Sequence, residues 1–127
     1  MVIGIGIDRV TIARVERAID RFGSRFLDRI YTDIECQQAK ERGNPARRLA
    51  MLFAAKEAVA KALGTGFRQG VTPTSIETIH QRSGKPVVQL HGGAAAAARQ
   101  QNISYIHISL TDEDGVAIAL SIAESDG

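Results

Sequence analysis

The chain has 127 residues, of which 44% are apolar and 24% charged, and its formal net charge is +2. This length suits one ordinary domain over residues 1–127 and is too short for two. No apolar run approaches the roughly 18 residues that cross a bilayer, and no basic segment precedes the first apolar residues, so no signal peptide is expected. With Cys36 as the single cysteine, an intrachain disulfide is excluded, and a cytoplasmic protein is expected.

The basic residues are unevenly distributed. Arginine outnumbers lysine 12 to 4, and nine of the arginines lie within the first 48 residues. Because guanidinium groups bind carboxylates and phosphates through paired hydrogen bonds, the N-terminal half is suited to an anionic partner. Nucleic acid, an acidic protein and a phosphorylated cofactor all fit that description.

A strand and a helix are predicted first. Residues 2–7 are β-branched with two glycines, which predicts a strand whose backbone is closely approached, and Asp8 follows at its end. Thr11 can cap a helix that begins near Ile12. At 100° per residue, this helix separates an apolar arc from a basic arc. The apolar arc holds Ile12, Val15, Ile19, Phe22 and Phe26, and the basic arc holds Arg14, Arg17, Arg21 and Arg25. A break at Gly23 would displace the last member of each arc.

Two further helices follow. Residues 32–35 match a capping box, which predicts a short helix to about Arg42. Asn44 and the proline after it fit the start of a longer helix over 45–63, with Gly64 at its C-terminal cap. Its apolar face is predicted to hold Leu49, Leu52, Phe53, Val59, Ala60 and Leu63.

The C-terminal half is predicted to be mostly strands. Residues 75–81 and 86–91 favour one β-hairpin, residues 94–100 a helix, and residues 103–111 and 115–123 a second hairpin. Helices early and hairpins late predict an α+β fold, with an antiparallel sheet and the long helix at its centre.

Four charged residues fit either catalysis or simpler roles. Glu57 and Lys61, four apart on the long helix, would form a solvated ion pair worth about a few tenths of a kcal/mol. Lys56 falls within the apolar arc, so it either extends to the surface or points into a site. Asp8 is a turn residue or a cap unless it converges with Glu57. Two converging carboxylates repel unless a cation joins them, and magnesium prefers such oxygen ligands together with phosphates and waters.

Two segments carry a resemblance to a known family. Residues 53–67, FAAKEAVAKALGTGF, resemble the signature of the 4′-phosphopantetheinyl transferases, and more narrowly of their holo-acyl-carrier-protein synthase subfamily. Residues 4–8, GIGID, are similar to that subfamily's other hallmark, and residues 84–86 and 107–111 lie where the family has related segments. The resemblance covers essentially the whole chain in order. It implies a 4′-phosphopantetheinyl transferase-like fold.

The resemblance also implies a reaction, in which a carrier-protein serine attacks the β-phosphate of coenzyme A in line and 3′,5′-ADP leaves, as a step of fatty acid biosynthesis. Asp8 and Glu57 would bind the magnesium ion that holds the pyrophosphate, and Lys61 would contact a phosphate. Glu57, or a metal-bound water that it orients, is the candidate base. The further coenzyme contacts that it implies are Lys56, Gly64, Thr65, Gly66, Lys85, Pro86 and His107. For His107, an ordinary strand histidine with a satisfied partner is an equally good account.

Partners follow from the same resemblance. Family members bind small acidic carrier proteins through a basic first helix, which gives the basic arc a partner, and the subfamily is trimeric with sites between subunits. The alternative for the arc is a solvated helix face whose arginines pair with Glu16 and Asp20.

The sequence departs from the usual family pattern at three places. Arg9 stands where an aliphatic residue is common, Leu52 where a basic residue is frequent, and Thr111-Asp112 where many members have serine-histidine. The first two are expected to alter phosphate or partner contacts, and the third puts in doubt a histidine role there.

Two other function classes compete. A small nucleic-acid-binding protein would explain the arginines, but the few aromatic residues are not interleaved with them and no reader motif is present. A binding module without catalysis would not need Asp8, Glu57 and Lys61.

Overall fold

The computed structural model describes residues 1–127 and confirms an α+β fold with antiparallel strands. Five strands, five α-helices and one 3-10 turn are present. In chain order they are β1 (Val2–Thr11), α1 (Ile12–Phe22), α2 (Ser24–Ile30), α3 (Asp33–Glu41), α4 (Pro45–Leu63), the 3-10 turn (Pro73–Ser75), β2 (Ile76–His80), β3 (Pro86–Leu90), α5 (Gly92–Gln100), β4 (Tyr105–Glu113) and β5 (Val116–Glu124). No helix combines the length and apolar character required to cross a membrane.

The strands form two antiparallel sheets. The larger sheet has the order β1-β5-β4, and β2 and β3 form a separate two-stranded hairpin. Asp114 and Gly115, with φ angles of 52° and 77°, connect β4 to β5 in a two-residue turn that needs positive φ at both positions. β1 runs four residues past its predicted end because it pairs with β5 as far as Thr11 opposite Val116. Asp8 therefore lies inside the strand, opposite Ala119, and not after it.

The helix α4 is the centre of the molecule. It is buried on nearly all sides, and not only on the single apolar face that the periodicity predicts. One core cluster joins its N-terminal half to β1, β5 and the first three helices, and a second joins its C-terminal half to α5 and the β2–β3 hairpin. The many alanines of α4 make this possible, because short side chains let neighbouring elements pack closely on every face.

β1 crosses α4 with backbone against backbone. An added Cβ atom at Gly6 would lie 1.9 Å from the carbonyl oxygen of Ala58, and one at Gly4 would lie 1.9 Å from that of Ala62. No side chain fits at such distances, so the predicted close approach at the strand glycines is confirmed. Alternation along β1 places Asp8 on the same side of the strand as the two glycines, and therefore toward α4.

The helix ends agree with the sequence in most details. Thr32 and Glu35 form the predicted capping box, Asn44 caps α4, and Gly64 takes the left-handed conformation that ends it. Thr11 occupies the N-cap position of α1 but makes no side-chain capping bond. Gly23, with φ of 55°, breaks the first helix into α1 and α2, as expected.

The break displaces one member of the predicted basic arc, and one member of the apolar arc is more exposed than predicted. Arg25 lies on α2 and is not in a continuous row with the arginines of α1. Phe22 is predicted to face the core, but the residue is 48% exposed because it ends α1 immediately before the chain turns at Gly23, whereas Phe26 still packs against the first core cluster.

A buried ion pair ties α3 to α4. The ammonium group of Lys56 lies 2.7 Å from Oε1 of Glu35, and the two side chains are 1% and 0% exposed. The remaining donors of Lys56 reach the carbonyl oxygens of Pro73 and Ile76 at 2.8 and 2.6 Å. Glu35 also accepts bonds from the backbone N–H groups of Thr32 and Thr78. This network holds the chain that follows α4 against the helix.

Gly6→Ala is expected to lower the free energy of unfolding by about 2 kcal/mol or more, because β1 must move away from the carbonyl of Ala58. Chemical denaturation measures the change. The control is Gly115→Asn, where an added side chain meets nothing within 4 Å and asparagine tolerates the positive φ. Equal stability of Gly6→Ala and wild type would contradict the close contact.

Lys56→Met is expected to cost about 3–5 kcal/mol of unfolding free energy, because it leaves the carboxylate of Glu35 buried without a cation. Lys61→Met on the same helix removes a lysine that is 51% exposed and should cost at most about 1 kcal/mol. Adding Glu35→Gln to Lys56→Met should recover part of the loss. Denaturation curves that rank the two lysine variants alike would rule out this assignment.

Candidate functional site

The contact of β1 with α4 brings an aspartate and a lysine together. Nζ of Lys61 lies 2.9 Å from Oδ1 of Asp8 and 3.0 Å from the carbonyl oxygen of Ile7. The Asp8 side chain is 20% exposed, so this pair lies at the surface edge of the β1–α4 contact. The intrahelical ion pair expected between Glu57 and Lys61 is not formed, because Lys61 bonds to the strand instead.

Glu57 lies one helical turn before Lys61 and is half-buried. Burial raises the pKa of its carboxyl group, and the negative charge of Asp8 raises it further. The positive charges of Lys61 and Arg14 act in the opposite direction. The two carboxyl groups are therefore close enough to repel each other, and the ionised form of Glu57 is poorly compensated within the chain.

The two carboxylates fit a hard divalent cation. An ion such as magnesium would relieve both the desolvation of Glu57 and its repulsion by Asp8, and it prefers oxygen ligands. The chain has no group of three or more histidine, cysteine, aspartate or glutamate side chains that could hold a metal. The protein would thus supply only two side-chain ligands, which is the usual protein share of a magnesium site completed by waters and phosphate oxygens.

Two cavities flank these residues. One, of about 420 Å³, opens beside the ion pair and is lined by Ile7, Asp8, Arg9, Lys61 and Ile118. A smaller one, of about 150 Å³, opens beside the glutamate and is lined by Ile30, Phe53, Lys56, Glu57, Phe67 and Pro73. The acidic residues therefore lie between a more polar cavity and a more apolar one.

Lys56 differs from the predicted alternatives. It neither extends to the surface nor has a free donor to offer, because its three N–H groups bond to Glu35, Pro73 and Ile76. In this arrangement Lys56 holds the adjacent segment in place, and a direct phosphate contact would require one of these bonds to break.

The turn after α4 follows directly on the lysine of the site. The backbone N–H groups of Gly64 and Gly66 bond to the carbonyl oxygens of Lys61 and Ala60, and the Thr65 hydroxyl bonds to the Gly66 carbonyl. Gly64 and Gly66, two of the predicted coenzyme contacts, therefore use their backbone N–H groups to cap the helix.

Three predicted coenzyme contacts lie on other elements. Lys85 and Pro86 are at the tip of the β2–β3 hairpin. His107 lies on β4, bonded to Glu124 at 2.9 Å, and it is exposed on the sheet face opposite to the one on which Asp8 lies. No hydrogen bond or ion pair within the chain joins any of these residues to Asp8 or Lys61.

The basic arc is exposed on α1 and α2. None of Arg14, Arg17, Arg21 and Arg25 forms an ion pair, so the expected alternative of pairing with Glu16 and Asp20 is not observed. A largely apolar cavity of about 210 Å³ opens beside Arg14, and it is lined by Val10, Arg14, Val15, Ala18, Phe22, Phe26 and Phe53. Arg14 joins this surface to the site, since its charge lowers the pKa of Glu57.

Two departures from the family pattern have structural explanations. Leu52 is 3% exposed and packs in the first core cluster, so it contacts neither a phosphate nor a partner, contrary to expectation. Asp112 accepts two hydrogen bonds from Arg47, at 2.9 and 2.7 Å, which tie β4 to the start of α4. The Arg47 guanidinium also holds the pKa of the Asp112 carboxyl below its usual value.

Sequence reasoning missed the residues that support the site. Glu35 was assigned only to the capping box, and Phe67 and Ile30 were not considered as cavity walls. A lysine within an apolar arc was the one available signal for a buried acidic partner. That signal does not say which acidic residue folds against it.

Comparisons with known proteins identify the family. The family model described as the 4′-phosphopantetheinyl transferase superfamily matches residues 4–121. A holo-[acyl-carrier-protein] synthase from Rhizobium rhizogenes is 46% identical over 129 residues, which cover 98% of this chain and 96% of that protein. One from Vibrio cholerae is 46% identical over 124 residues, which cover 98% of both chains.

Solved structures show the same fold. The Neisseria meningitidis holo-[acyl-carrier-protein] synthase superposes with a TM-score of 0.90 at 38% identity, covering 98% of this chain and 100% of that one. The Helicobacter pylori enzyme, solved in complex with coenzyme A, has a TM-score of 0.84 at 30% identity, covering 94% and 99%. A matching family model, near-complete relatives and a shared fold all lead to one conclusion: this chain is an enzyme of the holo-[acyl-carrier-protein] synthase family, within the 4′-phosphopantetheinyl transferase superfamily.

Proposed function

We propose that this enzyme transfers the 4′-phosphopantetheine group of coenzyme A to a serine of apo acyl carrier protein, depends on magnesium, and releases 3′,5′-ADP. The observation that carries the proposal is the convergence of Asp8, Glu57 and Lys61 where β1 crosses α4. The coenzyme A complex of the Helicobacter pylori relative supports the choice of co-substrate. A role in fatty acid biosynthesis and a cytoplasmic location stay predictions.

Asp8 and Glu57 would hold the magnesium ion. When bound, the ion supplies positive charge that polarises the diphosphate and offsets the negative charge of the departing group. Lys61 is already anchored at the site by Asp8, so it would present its remaining donor to a phosphate oxygen with little loss of side-chain freedom.

Glu57 is the proposed base for the serine hydroxyl, directly or through a water that it orients. Burial and the neighbouring carboxylate raise the pKa of Glu57 above its usual value. A magnesium ion bound to Glu57 would lower this pKa again, so the proposed base role rests on the position of Glu57 beside Asp8 and Lys61 and not on the raised pKa.

We propose that the remaining coenzyme contacts require a neighbouring copy. A single chain leaves His107 and the tip of the β2–β3 hairpin away from Asp8. The predicted coenzyme contacts remain Gly64, Thr65, Gly66, Lys85, Pro86 and His107. The outer face of the large sheet exposes Ile5 and Ile7 at 64% and 61% of their surface. An apolar face of this kind is typical of a subunit interface. A homotrimer that buries it is proposed from the family resemblance.

The proposed reaction predicts a mass gain on the carrier. The wild-type chain, incubated with coenzyme A, magnesium and an apo carrier protein, should add one phosphopantetheine arm to the carrier serine, as measured by mass spectrometry. Glu57→Gln should lose nearly all of this activity, and omission of magnesium should abolish it. Glu41→Gln, which changes an exposed carboxylate on α3, serves as the control and should retain activity.

The variant Glu57→Gln should not lose stability. Folding raises the pKa of Glu57, so ionisation of this group is less favourable in the folded chain than in the unfolded one. The free energy of unfolding therefore falls as the pH rises from about 4.3, the usual glutamate value, through the folded-state pKa. Glu57→Gln removes that penalty, so it should be at least as stable as wild type at pH 7. The difference should vanish below the usual value. An unfolded Glu57→Gln, or an active one, would contradict the assignment.

We also propose that the exposed arginines of α1 and α2 bind the acidic carrier protein. Arg21→Glu should raise KM for the carrier by about tenfold and leave KM for coenzyme A unchanged, and added salt should reduce the difference. Arg99→Glu, an exposed reversal on α5, is the matched control. If both reversals change KM for the carrier equally, the effect is one of net charge and not of this surface.

A further inference from the structure

Arg9 is a free guanidinium group beside the site. It follows Asp8 on β1 and, in the single chain, is exposed on the outer face of the strand, beside the isoleucines that the proposed homotrimer would bury. It forms no hydrogen bond or ion pair within the chain, unlike Arg47, whose guanidinium is bonded to Asp112 at two positions. Its side chain lines the cavity of about 420 Å³ that Asp8 and Lys61 also line.

The charges around this cavity leave a role for Arg9. Lys61 is the other cation of the cavity lining, and its charge is already opposed by the carboxylate of Asp8 at 2.9 Å. Glu57 adds further negative charge nearby, as its interaction with Asp8 shows. An anionic ligand that enters the cavity therefore meets one uncompensated positive group from the lining, and that group is Arg9.

The neighbours of Arg9 in this cavity do not compete for its hydrogen-bond donors. Its partner across the strand pair is Ile118, and Ile7 lies on the same face of β1. These apolar side chains line the cavity with it and offer no acceptor to its N–H groups. A guanidinium group offers parallel N–H donors that match two oxygens of a phosphate, which an aliphatic residue at this position could not do.

We propose that Arg9 binds the diphosphate of coenzyme A and gives this chain a coenzyme contact independent of magnesium. The inference rests on the proposed transferase function, because that function places the diphosphate against Asp8, Glu57 and Lys61.

Calorimetric titration with coenzyme A in the absence of carrier protein tests the contact without turnover. Arg9→Ala should raise Kd by about tenfold or more, both with magnesium and in its absence, and Arg9→Lys should fall between Arg9→Ala and wild type. Arg99→Ala removes the same charge from the exposed end of α5 and should bind as wild type does. An unchanged Kd for Arg9→Ala would overturn the proposal.

Two further measurements separate the alternatives. Titration with 3′-dephospho-coenzyme A should show the same loss for Arg9→Ala if the diphosphate is the contact. If the loss disappears with this ligand, Arg9 binds the 3′-phosphate and the proposal is wrong. Sedimentation should give wild type and Arg9→Ala the same association state. Arg9→Ala could instead dissociate and regain its affinity for coenzyme A when it is concentrated enough to form the wild-type assembly. That result would assign Arg9 to subunit contact and overturn the proposal.

Failure here is distinguishable from failure of the proposed function. If the wild-type chain adds no phosphopantetheine arm to an apo carrier protein, the transferase proposal fails. If it does so and Arg9→Ala binds coenzyme A as tightly as wild type, only the role of Arg9 is rejected.

Discussion

The crossing of β1 over α4 is the constraint on which the rest of the structure depends. Gly4 and Gly6 bring the strand backbone against the carbonyl oxygens of Ala62 and Ala58, at distances that exclude any side chain. A bulkier residue on either element would separate them, and Asp8 would then move away from the end of the helix. The glycines of the strand and the alanines of the helix are thus as necessary to the site as its charged residues.

The two lysines of α4 have different roles, because Lys56 supports the structure and Lys61 belongs to the candidate site. Lys56 is buried, and every donor that it has is bonded to the protein, so it joins α3 and the chain after α4 to the helix. Lys61 lies at the edge of the β1–α4 contact, half exposed, and it is held by Asp8 without being enclosed. Glu57 lies between them with a raised pKa. The bonds of Lys56 thus fix the structure around the helix, whereas the charges of Glu57 and Lys61 remain available to a ligand.

The site is shallow on a single chain, and this fits a site that is completed by other molecules. β1 is an edge strand, its outer face exposes isoleucines, and two carboxylates alone do not make a cation site. A metal ion, the coenzyme and a neighbouring copy of the chain would each cover part of this exposed site. Arg14, one of the exposed arginines of α1 and α2, is close enough to Glu57 for its charge to act on that carboxyl group. An acidic partner docked on these arginines would therefore reach the same edge of the molecule.

The sequence by itself determined the order and type of the elements, the capping box at Thr32, the limits of α4 and the family, because these depend on local periodicity, caps and short motifs. It indicated Asp8, Glu57 and Lys61 only as candidates, since 49 positions separate the two carboxylates and local patterns carry no information on such pairs. Tertiary structure alone decided that Lys56 bonds to Glu35, that Lys61 pairs with the strand and not with Glu57, and that β1 extends to Thr11. Each of these outcomes depends on which surfaces the glycines and alanines allow to touch, and that is settled only when distant segments pack together.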